Sequence, residues 1–309
     1  CTATAGPISI SEPIALSASI GISSMVSCNG GNNGSATVTA SGGTAATDYT
    51  YSWNTTPVQT TATATNLIVG NYTVTVTDDN GCTATDNVPI TEPTALVASM
   101  GIPTMVSCNG AVPAEGSVTV TASGGTVAGN YTYLWTDGQT TATATNLAAG
   151  NYSVTITDDN NCTVTNGPVN ISEPSAVVAS MGIPSMVSCN GGNDGSVTVT
   201  ASGGTVAGNY TYLWSDGQTT ATATNLVAGN YSVTVTDDNT CTATAGPVTI
   251  TEVTAITQSN IKTHVLCNGD ANGQIEITVN GGSVPYNISW SGAANGNPPG
   301  DEVNSSGGN

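Results

Sequence analysis

Residues 196–236 read S-V-T-V-T-A-S-G-G-T-V-A-G-N-Y-T-Y-L-W-S-D-G-Q-T-T-A-T-A-T-N-L-V-A-G-N-Y-S-V-T-V-T. The opening S-V-T-V-T-A alternates strictly, so Val197 and Val199 face a core while Thr198 and Thr200 face water. Gly203 and Gly204 break that strand. Residues 210–214 form a second strand carrying the only Trp of the unit, Asp216 and Gly217 make a turn, and residues 219–226 supply a third strand. Residues 231–236 alternate again, with Val233 and Val235 on the face of Tyr231. After a turn at 237–240 the chain returns through Cys241 to Ile250 and Glu252. Six or seven short strands in about eighty residues, with turns every eight to twelve, predict a β-sandwich. L-V-A-G-N-Y at 226–231, with variants at 67–72 and 147–152, fits a tyrosine corner.

Outward from this stretch the chain repeats itself. Residues 117–135 are identical to 196–214. Cysteines fall in two alternating contexts. One is V-S-C-N-G or L-C-N-G, at Cys28, Cys108, Cys189 and Cys267; the other follows an acidic turn or opens the chain, at Cys82, Cys162, Cys241 and Cys1. Within each context the spacing is about eighty residues. Three complete units follow, 13–92, 93–173 and 174–252. Residues 1–12 are expected to be the last strand of a preceding repeat, and 253–309 an incomplete fourth, so the chain reads as a fragment of a longer array. The boundaries carry Glu12-Pro13, Glu92-Pro93 and Glu173-Pro174, where proline suits a strand end. Junctions this short and Pro-stiffened are poor flexible linkers, so the expectation is a rod-shaped tandem array.

Composition narrows the function. Of 309 residues 20 are acidic, Lys262 is the sole Lys or Arg, and the net charge is −19. Such a chain cannot neutralise phosphates, which excludes nucleic acid and anionic membrane surfaces as partners. No apolar run is long enough to span a bilayer, and no basic-then-apolar start is present, so any export signal is expected to lie outside this sequence. Val and Thr dominate over strong helix formers, so the class is all-β. Phe is absent and each unit's core is small, so cross-links would help. Eight regularly placed cysteines suit an oxidising, extracellular setting.

The set C-N-G-G-N-D-G-S-V-T-V-T-A-S-G-G-T, Y-T-Y-L-W, G-Q-T-T-A-T-A-T-N-L-V-A-G-N-Y-S-V-T-V-T-D-D-N and a following Cys closely resembles the SprB repeat of very large surface adhesins of gliding Bacteroidetes. D-D-N-G-C at 78–82 also looks like the end of PKD-type immunoglobulin-like domains. The resemblance covers the three full units and the start of the fourth. It implies a tandem array of immunoglobulin-like (PKD-like) β-sandwich domains, export to the bacterial cell surface by the type IX route, and a role in adhesion or gliding.

No constellation for catalysis stands out, because a near-perfect repeat offers no unique site, and the chain is read as no enzyme. His264 is the only histidine and sits in the incomplete unit, so a Cys-His nucleophile or a zinc site has no repeated basis. The acid pairs Asp78-Asp79, Asp158-Asp159 and Asp237-Asp238 cannot converge on one glycosidic bond from adjacent strand positions. They read as solvated turns; the sharper alternative is a Ca²⁺ site at the domain end, with backbone carbonyls and Asp137 or Asp216, although no EF-hand spacing is present. No other cofactor is expected. Thr tracts such as 219–224 fit the wet face of an antiparallel sheet better than an ice-binding array. The sequons at Asn71, Asn151 and Asn230 sit in the tyrosine-corner turn, which gives each Asn a structural reason to be there.

Two functions remain. The first is a structural stalk of a cell-surface adhesin or extracellular filament, whose partners are neighbouring repeats and like chains. The second is an immunoglobulin-like module binding a surface polysaccharide, substratum or other cell-surface ligand. Nearly all aromatics occupy strand or corner positions, which favours the spacer. Cysteine pairing turns on strand count. If four strands separate Cys108 from Cys162, each reversing direction, both lie at one pole, giving Cys28–Cys82, Cys108–Cys162 and Cys189–Cys241 within single domains, with Cys1 and Cys267 paired outside the complete units. Each bond would close a loop of about fifty residues, for about 4 kcal/mol. If a fifth strand intervenes, the poles differ and Cys28 meets Cys162 of the next domain. The sixteen residues between Trp135 and Tyr152 are tight for two strands, which favours the intradomain set.

Overall fold

The computed structural model describes residues 2–44, 48–267, 269–270 and 272–289, and every regular element among them is a strand. By compactness the chain divides into two units, Cys1–Met105 with Ala114–Ser172, and Val106–Pro113 with Glu173–Asn309. The first unit holds two repeats. One is β1 (Ser17–Ser24), β2 (Gly34–Ser41), β3 (Thr50–Trp53), β4 (Thr63–Leu67), β5 (Gly70–Thr77) and β6 (Thr83–Ile90). The next is β7 (Val97–Met100), β8 (Gly116–Ser123), β9 (Thr132–Trp135), β10 (Thr143–Leu147), β11 (Gly150–Thr157) and β12 (Thr163–Ile171). The second unit repeats the plan in β13 (Val178–Met181), β14 (Gly195–Ser202), β15 (Thr211–Trp214), β16 (Thr222–Leu226), β17 (Gly229–Thr236) and β18 (Thr242–Ile250). It continues into the hairpin of β19 (Thr257–Thr263) and β20 (Gln274–Asn280).

Each full repeat is a two-layer sandwich of antiparallel three-stranded sheets, ordered β1-β2-β4 and β3-β5-β6 in the first copy. Alternation explains the core. Val197, Val199, Val233 and Val235 are buried while Thr198 and Thr200 are exposed. Trp53, Trp135 and Trp214 fill the space between the layers, and each indole N–H donates to a threonine carbonyl, that of Thr61, Thr141 or Thr220, at 2.8–2.9 Å. The tyrosine corner is present three times: Tyr72, Tyr152 and Tyr231 each donate to the carbonyl four residues back at 3.1 Å. A buried central Trp and this corner mark the immunoglobulin-like sandwich.

Strand direction corrects the count on which the cysteine expectation rested. Strands β8 and β11 are full length and start at one pole: Gly116 lies against Leu147 and Ile171, and Ile171 pairs with Gly150. They end at the other, where Thr126 N donates to Asp158 just beyond β11. The two strands between them are half length. Strand β9 pairs with the upper half of β11, and β10 pairs with the lower half of β8 after the chain has changed sheets. Together they make one descent. Four strands therefore give three traverses, and the same path in the first repeat puts Cys28 and Cys82 at opposite poles, about 26 Å apart at the rise of eight strand residues.

Residues 2–12, expected as the last strand of a preceding repeat, carry no strand. Their counterparts β6, β12 and β18 pair with β5, β11 and β17, and no strand of the described chain offers that ladder to them. Ile8 and Ile10 are consequently exposed. The fourth repeat is described only as β19 and β20, and residues 290–309 lie outside the described residues, as does Cys1.

Candidate functional site

The acid pairs and most of the described cysteines singled out in the sequence lie in two kinds of loop, the acidic turn and the C-N-G loop. The first component is the acidic turn. Asp158 is 5% exposed; its Oδ2 accepts Thr126 N at 2.9 Å and its Oδ1 accepts Asn160 N at 3.0 Å and Cys162 N at 2.9 Å. Asp78 and Asp237 repeat the pattern, on Thr44, Asn80 and Cys82 and on Thr205, Asn239 and Cys241. For Asp158 and Asp237 burial alone would push the carboxyl up, but the three backbone N–H groups together outweigh it and hold the group below its ordinary value. For Asp78 the Thr44 N–H is the largest influence and the net direction is the same.

Glycine makes this approach possible. At Gly125, φ is +67°, and a Cβ would stand 2.5 Å from Asp158 Oδ2; Gly43 and Gly204 are equivalent. The second acid of the two later pairs anchors the loop tip: Asp159 Oδ2 accepts Ala128 N and Gly129 N, and Asp238 Oδ2 accepts Ala207 N and Gly208 N. These acids thus bind N–H donors of the loop joining the two sheets. Asp137 and Asp216, weighed as co-ligands for Ca²⁺, are not brought to them. Each caps its own turn by accepting from Gln139 or Gln218, beyond the end of β9 or β15 remote from the acidic turn. Among the described residues no three His, Cys, Asp or Glu side chains cluster to hold a metal ion.

The second component is the C-N-G loop. Gly30 N donates to Glu92 Oε2 at 2.6 Å, and Asn29 Nδ2 donates to Glu92 Oε1 and to the carbonyl of Pro93, both at 3.1 Å. Glu252 is gripped in the same way by Asn190 and Gly191, and Gly110 N and Asn109 Nδ2 reach Glu173 and the Pro174 carbonyl. Glu92 and Glu173 were read from sequence only as strand ends before proline, and Glu252 as the end of its unit. Their recurrence about eighty residues apart, in step with C-N-G, was the available signal.

Disulfides join the two components, and the pairing differs from the intradomain expectation. Cys28 bonds Cys162 and Cys108 bonds Cys241, each with Cα atoms 5.6 Å apart, so each bond leaves the C-N-G loop of one repeat for the acidic turn of the next. Cys82 and Cys189, expected in Cys28–Cys82 and Cys189–Cys241, are free exposed thiols, as is Cys267. The cause is the three-traverse path, which puts a repeat's own two cysteines at opposite poles. Beside each bond Asn160 Nδ2 donates to the Ser27 carbonyl at 3.0 Å, and Asn239 Nδ2 to that of Ser107 at 3.1 Å.

Comparison with known proteins follows this architecture. The sequence description of the SprB repeat matches residues 22–57, 101–140, 184–219 and 259–295, the part of each repeat that carries its C-N-G cysteine. No curated protein matches the chain. Among solved structures, a tetra-tandem repeat in the extending region of a large adhesion protein is 17% identical over 86% of this chain and 87% of that one, with a TM-score of 0.25. A complex of Dpr2 Ig1-Ig2 with DIP-Theta Ig1-Ig3 is 8% identical, over 76% of this chain and 99% of that one, at a TM-score of 0.25. The N-terminal eight immunoglobulin domains of Down Syndrome Cell Adhesion Molecule are 12% identical over 82% of this chain and 57% of that one, at 0.21. Four stretches of the chain, one in each successive repeat, are thus similar to the SprB repeat.

Proposed function

We propose that the chain is part of the repeat region of an extracellular bacterial adhesin, a stalk whose sandwiches are spacers and not catalysts. The observation that carries this reading is the junction itself: the same C-N-G loop, glutamate clamp and disulfide to the following acidic turn occur twice at equivalent positions. A spacer needs one durable connection repeated, whereas a binder needs a distinct exposed surface. Disulfides of this kind persist outside the reducing cytosol, which supports a secreted or cell-surface location. Gliding and type IX export are the narrower form of the proposal, carried by the repeat family alone.

Single-molecule pulling tests the stalk reading. With the bonds closed, the shortest covalent route from Cys28 to Cys241 crosses both disulfides and runs through about 54 residues, roughly 190 Å at full extension; reduced, it runs through about 210, roughly 750 Å. A short oxidised length that grows on adding dithiothreitol is the expected result. Equal lengths before and after reduction would remove the basis for the reading. On a panel of surface polysaccharides the same chain is expected to show no saturable binding.

A further inference from the structure

The two bonds follow one rule: a C-N-G cysteine joins the acidic-turn cysteine of the next repeat. Cys82 is the acidic-turn cysteine of the first repeat, and it is exposed and unbonded. We propose that the face around Cys82 and Asn80 is a covalent docking site for the C-N-G loop of a further SprB-type repeat. This rests on the stalk reading and names the partner of that site.

Three observations carry it. The backbone of Cys82 is held as in its bonded counterparts: its N–H donates to Asp78 Oδ1 at 2.8 Å and its carbonyl accepts Asp78 N at 3.0 Å, matching Cys162 on Asp158 and Cys241 on Asp237. The residue before each cysteine has positive φ, Gly81, Asn161 and Thr240, so the three turns share one shape. Most informative is a second unmatched group. Asn160 and Asn239 donate their side-chain amides to the carbonyls of Ser27 and Ser107 in the docked loops, whereas the Asn80 amide makes no such bond. Among the described residues, thiol and amide are therefore both unpaired at the one complete turn that lacks a docked loop, although their counterparts bind that same loop twice elsewhere in the molecule.

Closure balances with a small-molecule disulfide such as glutathione disulfide as oxidant. The C-N-G thiolate attacks it, forming a mixed disulfide and releasing one glutathione thiolate. Cys82 thiolate then attacks the protein sulfur of that mixed disulfide; the bond between the repeats forms, the bond to glutathione breaks, and the second glutathione leaves. The two protons lost by the protein thiols are taken up by the released thiolates.

The test is a lengthened chain with a second copy of residues 93–173 inserted between Glu12 and Pro13, oxidised in glutathione buffer and mapped without reduction, beside the unlengthened chain. Cys82 is expected to resist alkylation and to be linked to the inserted C-N-G cysteine, which assigns the partner to the same polypeptide. Dimers of the unlengthened chain linked through Cys82 would assign it to another copy. Cys82 alkylated in both, with Cys28–Cys162 and Cys108–Cys241 intact, overturns the proposal; loss of those two bonds as well would instead overturn the stalk reading beneath it.

Discussion

Replacing both Cys28 and Cys162 by serine removes one inter-repeat bond and leaves Cys108–Cys241 in place. The bond has a sequence separation of 134, and the chain-entropy relation gives about 5 kcal/mol for a closed loop of that length. Part of this length is rigid when the first repeat stays folded while the second unfolds, leaving a closed loop of about 70 residues. Because closure entropy varies only with the logarithm of length, the figure falls merely to about 4.4 kcal/mol. Unfolding entropy near ~2.1 cal/mol/K per residue, over one or two repeats of about eighty residues, converts this to a Tm lower by roughly 15–25 °C. Calorimetry of the wild type and the double variant, with the remaining bond verified by mapping, measures it directly. A Tm within about 3 °C of wild type would refute the argument that the bond acts by confining the unfolded chain.

Acid should weaken the array through the buried turn carboxylates. Their folded values lie below the unfolded one, so the stability they contribute is present above about pH 4 and lost as pH falls through the lowered folded values; thermal melts from pH 6 to 2 should show this, with a smaller slope in Asp158→Asn. Gly125→Ala should cost about 2–3 kcal/mol in urea melts, from the left-handed backbone and the displaced Asp158 carboxylate, whereas Ala at the exposed Gly129, where a Cβ meets nothing, should be near neutral. Trypsin should cut once, after the exposed Lys262, leaving a large product with both bonds; further tryptic cuts seen by mass spectrometry would contradict the composition.

Much of the sandwich was legible in the sequence because side-chain alternation is a local signal. Val197 against Thr198, and Tyr231 in step with Val233, place themselves once the period is read. Cysteine pairing was not legible, because it depends on where a strand leaves its sheet. Residues 132–135 and 143–147 look like two strands, and only their ladders, on β11 and β8, reveal two halves of one descent. Glu92 illustrates a different gap. Its partners Asn29 and Gly30 lie more than sixty residues away, and nothing local distinguishes a carboxylate that grips a loop from one that ends a strand. The acid pairs looked alike in sequence, yet the first is buried on N–H donors and the second anchors a loop tip, a division set by the turn that follows.

The staggered bonds also decide what a broken backbone does to the molecule. A single peptide cleavage anywhere from residue 29 to 161 leaves both fragments tied through Cys28–Cys162, and one from 109 to 240 leaves them tied through Cys108–Cys241. The two intervals overlap, so no lone nick between Cys28 and Cys241 can release a piece. A chain so bonded would tolerate isolated damage by proteases or shear. It parts only when a second cut or a reduced bond falls within the same interval.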